Sequence, residues 1–348
     1  MYSIDDFDFV LPDSSIAQEP VTPRSSSRLL VFDSKSGKIF HHIFRDLPDY
    51  LDAGDTLVVN NSKVSPARIN FKIKDSSKEI FILKSVGKNI FEVLLKPAKS
   101  FKIGVIYNIS DNISFEVLKI LEDGLRLVKF HALQDIEIES ELERLGKIPL
   151  PPYIKDSISL YDRYQTVYAK SGRSVAAPTA GLHFDEDLIG ILKSRGVNFD
   201  EVTLDVGLGT FRPVSEEKIA NHIMHTEDYS ISEEVAEKLN KVRSGGHRVI
   251  AVGTTAARVL ESSATKDGYN SVQGSTNIFI YPGSHAWNGV DALITNFHLP
   301  KSTLLMLVSS FLEHKGIKNG PTRLLEIYSE AINLGYRFYS FGDAMIIL

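Results

Sequence analysis

Between positions 68 and 130 apolar and polar residues alternate with the period of an extended chain. Ile69, Phe71 and Ile73 fall on one side, and Arg68, Asn70, Lys72 and Lys74 on the other. Similar runs at 80–83, 90–95, 113–121 and 125–130 are separated by glycine, asparagine and aspartate, so this stretch predicts several short antiparallel strands. A helical pattern follows over 132–145 and closes at Gly146, and the prolines at 149–152 read as a linker. On either side the periodicity changes. Strands are predicted at 28–32, 39–44 and 56–59. After the linker, strands (197–206, 248–252, 277–280, 292–295) alternate with helices (185–195, from Ser232, from Thr254, 302–314, 321–334). Alternation of this kind implies an α/β layered main domain. The all-β stretch then reads as an inserted, barrel-like domain at 67–151, within a discontinuous domain of 1–66 and 152–348.

The polar groups collect where predicted strands end. Residues 175–184 carry an apolar run that stops at Pro178, then Thr179, Gly181 and His183 before acidic residues open a helix. Asp205 ends another strand, Gly253-Thr254-Thr255 joins a strand to a helix, and Tyr281, Asn296 and His298 follow further strands. In open α/β sheets the ligand crevice lies beyond the carboxyl ends of the strands, and one sheet could bring all of these to one rim. Each taken singly is equally a cap or turn residue. The start of a helix at 253–255 offers backbone N–H groups to an anion, or is simply capped by a threonine.

Composition narrows the classes. The 348 residues suffice for two domains, and 43% apolar with 24% charged residues is the balance of a soluble globular protein. The absence of cysteine excludes disulfides, thiolate nucleophiles and cysteine metal sites. Nothing predicts a secretory signal or a membrane span, so a cytoplasmic location and a monomer are expected. The net charge is −5, yet residues 60–102 hold ten basic and three acidic side chains. Such local excess suits a polyanion, or a solvated lysine face that deters edge pairing. Arg68, Lys72, Lys74 and Lys84 are the candidate nucleic-acid contacts.

Three motif readings are weak. Residues 205–210 suggest a dinucleotide loop but lack its third glycine, and Phe211-Arg212-Pro213 stands where a helix should begin. A phosphoribosyltransferase loop would need paired acids before its threonine turn, and 249–252 supplies none. His222, His225 and Glu227 share no single helix or strand face, so no metal is expected there. The preferred chemistry is acid/base work, with Glu227 tuning His225.

These segments occur in an order that resembles the S-adenosylmethionine:tRNA ribosyltransferase-isomerases of queuosine biosynthesis. They are Asn60–Arg68, 149–154, 164–168, 175–184, 205–211, 222–227, 252–255, 280–283, 295–300 and 339–345. The resemblance runs nearly the whole chain. Glu19-Pro20, the approach at 171–174 and Ser62-Lys63 depart from the family's usual residues. The resemblance implies transfer and isomerisation of the ribosyl part of S-adenosylmethionine onto 7-aminomethyl-7-deazaguanine at the tRNA wobble position, with adenine and methionine released. The partners implied are that tRNA and S-adenosylmethionine, consumed as a substrate, with no cofactor. The residues expected to carry the chemistry are His225 with Glu227 as base and His183 or His298 as acid. Thr179, Gly181, Asp205, Gly253, Thr254, Thr255, Tyr281 and Asn296 are expected to hold S-adenosylmethionine, with Tyr281 and Asn296 at its adenine or ribose and the Thr254-Thr255 helix start at its methionine carboxylate. An S-adenosylmethionine-dependent methyltransferase and a non-catalytic RNA-binding protein are the alternatives.

Overall fold

The computed structural model describes residues 2–133, 136–155, 160–207, 216 and 218–348. They form two compact units. One comprises Met1–Lys63, Pro151–Gly172 and Ala177–Leu348, the other Val64–Leu150 with Arg173–Ala176. The short piece Arg173–Ala176, which the expected boundaries place in the main domain, clusters with the insertion; Ser65 N–H donates to the Ser174 carbonyl at 3.0 Å.

The larger unit is built on a nine-stranded mixed sheet. Its spatial order is Val272–Thr276, Glu227–Ile231, Asn198–Leu204, Thr56–Asn60, Val249–Val252, Ala292–Asn296, Ala344–Ile347, Arg28–Asp33 and Lys38–Ile43. The four central strands from Asn198–Leu204 to Ala292–Asn296 run parallel. Thr56–Asn60, Val249–Val252 and Ala292–Asn296 are buried along their whole length, as expected of strands covered on both faces. Ala344–Ile347 and Glu227–Ile231 run the opposite way. One rim therefore gathers the carboxyl ends of the four parallel strands, the amino ends of Arg28–Asp33, Ala344–Ile347 and Glu227–Ile231, and the end of Val272–Thr276, where Thr276 pairs with Glu227.

Helices Glu186–Ser194, Glu233–Ser244, Gly253–Ser263, Thr303–His314 and Gly320–Asn333 accompany this sheet. Asp185, Ser232 and Ser302 cap three of them, each side chain accepting from a backbone N–H three residues on. The strand expected at 277–280 lies instead at Val272–Thr276, because that segment is the one that pairs with Glu227–Ile231. Beyond it Thr276 Oγ1 accepts from Ile278 N–H, which turns the chain out of the ladder.

The smaller unit is a six-stranded antiparallel sheet. Its order is Arg68–Ile73, Ser76–Gly87, Ile90–Lys96, Arg126–Ala132, Ile113–Ile120 and Ile106–Asn108. It curls strongly. The Phe71 ring on the first strand meets Phe115 on the fifth edge to face at 6.0 Å, around a core that also holds Ile80, Phe91, Val93 and Phe130. Among the described strands no ladder joins the two edges. The helix predicted over 132–145 is shorter, Ile138–Leu145, because Ala132 stays in register with Ile113. It does end at Gly146, where a β-carbon would lie 1.7 Å from the Pro66 carbonyl oxygen.

Candidate active site at the sheet rim

The rim is held together by side chains from several strand ends. Asn60 closes its strand by donating Nδ2–H to the Leu204 carbonyl at 3.0 Å, while its Oδ1 accepts from the N–H groups of Leu204 and Ser62. Two parallel strands are thereby pinned side by side where they stop. The next strand, Val249–Val252, passes directly into the helix Gly253–Ser263 through Gly253, whose φ of +91° is a left-handed conformation that glycine adopts at little cost. Among the described residues no side chain caps this helix. Thr254 is buried, and the Thr255 hydroxyl is enclosed without a hydrogen-bond partner among the described residues. The threonines therefore do not serve as caps.

The turn Thr179–His183 packs against this corner. A β-carbon on Gly253 would touch Ala180 at 3.4 Å, and one on Gly181 would overlap the Tyr168 hydroxyl at 1.9 Å. Gly181 is thus required by a close approach. Thr166 and Tyr168 lie beside it, and the Thr166 Oγ1 and Tyr168 hydroxyl are buried without a partner among the described residues. His183 lies against Phe44 at 5.1 Å, ring on ring. Its Nδ1 faces Ser27 Oγ at 2.8 Å and its Nε2 faces Asn296 Nδ2 at 3.1 Å. Asn296 Nδ2 also donates to the Tyr339 carbonyl, which orients the amide. His183 Nε2 must therefore accept, and its proton sits on Nδ1, donated to Ser27. Burial lowers its pKa to about 4. His298 is a second buried imidazole, with Nε2 at 2.8 Å from Thr295 Oγ1, and burial lowers its pKa to about 3. At neutral pH His183 is uncharged with its Nε2 accepting, and the Nε2 of His298 is engaged by the Thr295 hydroxyl. His298 is buried beside Thr295, and His183 bonds Asn296, whose Oδ1 is buried and has no partner among the described residues.

The pairing of His225 with Glu227 is also not what forms. Glu227 is buried and takes the Gly207 N–H at 2.8 Å on one oxygen and the Arg258 guanidinium on the other. His225 is exposed, and among the described residues no hydrogen bond joins it to Glu227. The reason is the sheet. Glu227 begins a strand whose pleat turns it towards the helix Gly253–Ser263, and the chain before it is not in that ladder. His222 faces Glu216 at 3.1 Å and stacks edge to face on Phe279, which in turn meets the half-buried Tyr281 at 4.9 Å. Among the described residues no group of three or more histidines or acids could hold a metal ion. Asp205 ends its strand with a carboxylate oxygen 2.2 Å from where Gly172 would carry a β-carbon. The loop reading at 205–210 and Phe211-Arg212-Pro213 falls, beyond Gly207, outside the described residues.

The whole of this arrangement lies within one sequence family. The profile of the queuosine biosynthesis protein family matches residues 4–347. The chain belongs to this family. It is 49% identical over 349 residues to the S-adenosylmethionine:tRNA ribosyltransferase-isomerase of Desulfitobacterium hafniense, covering 99% of both chains. It is 47% identical over 353 residues to the enzyme of that name from Staphylococcus haemolyticus, covering 99% of this chain and 100% of that one. Among solved structures, the S-adenosylmethionine tRNA ribosyltransferase of Thermotoga maritima matches with a TM-score of 0.56 at 38% identity, over 99% of this chain and 100% of that one.

In this member of the queuosine family the basic candidates of the smaller unit sit in different settings. Lys72 is exposed on the edge strand. Lys74 lies past the strand's end, in the turn, at φ +54°, so it does not extend the face of Lys72. Lys84 is exposed and in register with Glu92 on the next strand. Arg68 is half-buried, 3.7 Å from Glu79 and over the Phe81 ring, and is committed to the sheet. No helix among the described residues is long and apolar enough to cross a membrane. Sequence reasoning passed over Arg258, Tyr168, Thr166 and Ser27. Arg258 had one visible signal, a lone cation in the apolar stretch Ala256, Ala257, Val259 and Leu260.

Proposed function

We infer that the chain transfers and isomerises the ribosyl moiety of S-adenosylmethionine onto 7-aminomethyl-7-deazaguanine at the tRNA wobble position, releasing adenine and methionine. The observation that carries this reading, beside the family membership, is a group of enclosed polar atoms around one rim that have no partner among the described residues. They are the Tyr168 hydroxyl, Thr166 Oγ1, Thr255 Oγ1, Asn296 Oδ1 and two nitrogens of Arg258. A buried polar group left unpaired costs about 1–3 kcal/mol, so several in one place mark a site completed by a polar ligand.

The reaction sets its own demands. The sulfonium acidifies the C5′ protons, so a base must reach them; the attacking amine must be neutral; and departing adenine must be protonated. His225, exposed two residues before the rim strand Glu227–Ile231, is the imidazole free to act as base, without Glu227 as its partner. Asn296, steadied by His183, presents Oδ1 as an acceptor suited to a ribose hydroxyl or an adenine amino group. Thr179, Gly181, Gly253, Thr254 and Thr255 shape the wall beside it, and Tyr281 with Phe279 offers an aromatic surface for a base. The protein acts in the cytoplasm on tRNA, without a resident cofactor, and the curled sheet meets the tRNA backbone through exposed lysines.

The test is incubation of the purified protein with S-adenosylmethionine and tRNA carrying the precursor base, followed by nucleoside mass analysis. Free adenine, free methionine and an epoxycyclopentanediol adduct on the base are expected. Formation of S-adenosylhomocysteine would replace this reading with methyl transfer, and absence of turnover with tight tRNA binding would favour a non-catalytic RNA-binding protein.

A further inference from the structure

Arg258 is 5% exposed, and only one of its three guanidinium nitrogens has a partner among the described residues. Nη1 donates to Glu227, whose other oxygen is held by the Gly207 N–H. Nε and Nη2 are enclosed and make no hydrogen bond to any described residue. These two nitrogens form one edge of the guanidinium, with parallel N–H groups at the spacing of the two oxygens of a carboxylate or phosphate. Glu227 fixes the plane of the group from the opposite side, so the unpaired fork is already oriented. It sits one helical turn in from the uncapped start of Gly253–Ser263, and long helical side chains lean back towards that start.

We propose that the Nε/Nη2 edge of Arg258 is the binding site for the methionine carboxylate of S-adenosylmethionine. The inference rests on the functional reading above and adds the residue that anchors the leaving methionine. Both a carboxylate and an RNA phosphate have the required pair of oxygens. The depth of the fork favours the carboxylate: it ends a narrow, flexible chain that can displace what covers the guanidinium, whereas a phosphodiester carries bulky sugars on both sides.

Binding of S-adenosylmethionine and of decarboxylated S-adenosylmethionine is measured by calorimetry, and tRNA affinity by a separate titration. The proteins compared are wild type, Arg258→Lys, and Glu227→Gln/Arg258→Met. Lysine keeps the charge opposite Glu227 but has no fork. The double variant removes both charges together, which avoids a buried unpaired ion if the single variant does not fold. Wild type should bind S-adenosylmethionine about 10- to 100-fold more tightly than the decarboxylated analogue. The folded variant should bind the two nearly alike, with tRNA affinity kept. A variant that still discriminates between them would overturn the assignment, as would wild type binding both equally. Loss of tRNA affinity with S-adenosylmethionine binding intact would give the fork to a phosphate. Wild type binding neither nucleoside would instead bring down the functional reading itself.

Discussion

At the scale of single residues, depth decides what a side chain can do. Glu227 and Arg258 are both buried and neutralise each other. Glu227→Gln leaves the guanidinium charged and unpaired, so a loss of about 3–5 kcal/mol in stability is expected. His225 is exposed, and His225→Ala should leave the unfolding midpoint nearly unchanged while lowering turnover about 10²–10⁴-fold. Denaturant unfolding and single-turnover assays on both variants separate these outcomes; wild-type turnover in His225→Ala would remove it from the chemistry. The buried histidines make a pH prediction. Burial holds His183 at about 4 and His298 at about 3, both below the ordinary value of 6.5. The unfolded chain takes up these protons near pH 6.5, the folded protein only well below it. Their contribution to stability is therefore complete above about pH 6.5 and is lost as pH falls from there towards 4, by about 2.7 kcal/mol per pH unit for two groups. Urea unfolding at pH 7, 6 and 5 should show this fall, and His298→Gln should halve the slope. An unchanged slope in that variant would show that the imidazole does not titrate this way.

At the scale of elements, the turn Thr179–His183 works because it lacks bulk at its centre. Gly181→Ala places a methyl on the Tyr168 hydroxyl and near Thr166 Cγ2, 2.8 Å away, so the tyrosine or the turn must shift. The turn also carries His183 and through it Asn296. The expected result is a rise in KM for S-adenosylmethionine of about tenfold or more, with tRNA affinity unaffected, measured by steady-state kinetics and a binding titration. A variant with unaltered KM would mean that the turn does not border the nucleoside. Helix Gly253–Ser263 illustrates the complementary case. Its first turn is left uncapped by any described side chain, while its neighbours along the large sheet are capped by Asp185, Ser232, Ser302 and Asn319. The exception falls at the rim, beside the Thr255 hydroxyl and the Arg258 nitrogens that have no partner among the described residues.

At the scale of the whole molecule, charge is unevenly distributed. The chain is acidic overall, but residues 60–102 carry ten basic side chains against three acidic ones. Lys72, Lys74 and Lys84 are exposed there. Replacing Lys72 and Lys74 by glutamine should weaken tRNA binding and reduce the slope of log affinity against log salt by about 0.7–0.9 for each phosphate that the variant no longer neutralises. Turnover at saturating tRNA should be kept. Equal affinities and parallel salt lines would show these lysines to be a solvated face.

The sequence by itself determined what depends on neighbours along the chain. Period-two alternation set the strands of the curled sheet, and Asp185, Ser232 and Ser302 announced their helices through caps that act over three residues. The order of polar segments was enough to place the chain among the queuosine enzymes. The strand at Val272–Thr276, where the local pattern predicts one at 277–280, is decided by pairing with Glu227–Ile231, a segment remote in the chain, and no local pattern encodes that pairing. The site depended on tertiary structure for the same reason. His225 and Glu227 are two residues apart and looked like a dyad, yet the pleat of a strand turned Glu227 towards an arginine 31 residues on. His183 looked like a free acid until Ser27 and Asn296, 156 and 113 residues distant, took both its nitrogens. Residue types record which chemistry is available, and burial, which only the folded chain creates, decides which protons and charges remain free to perform it.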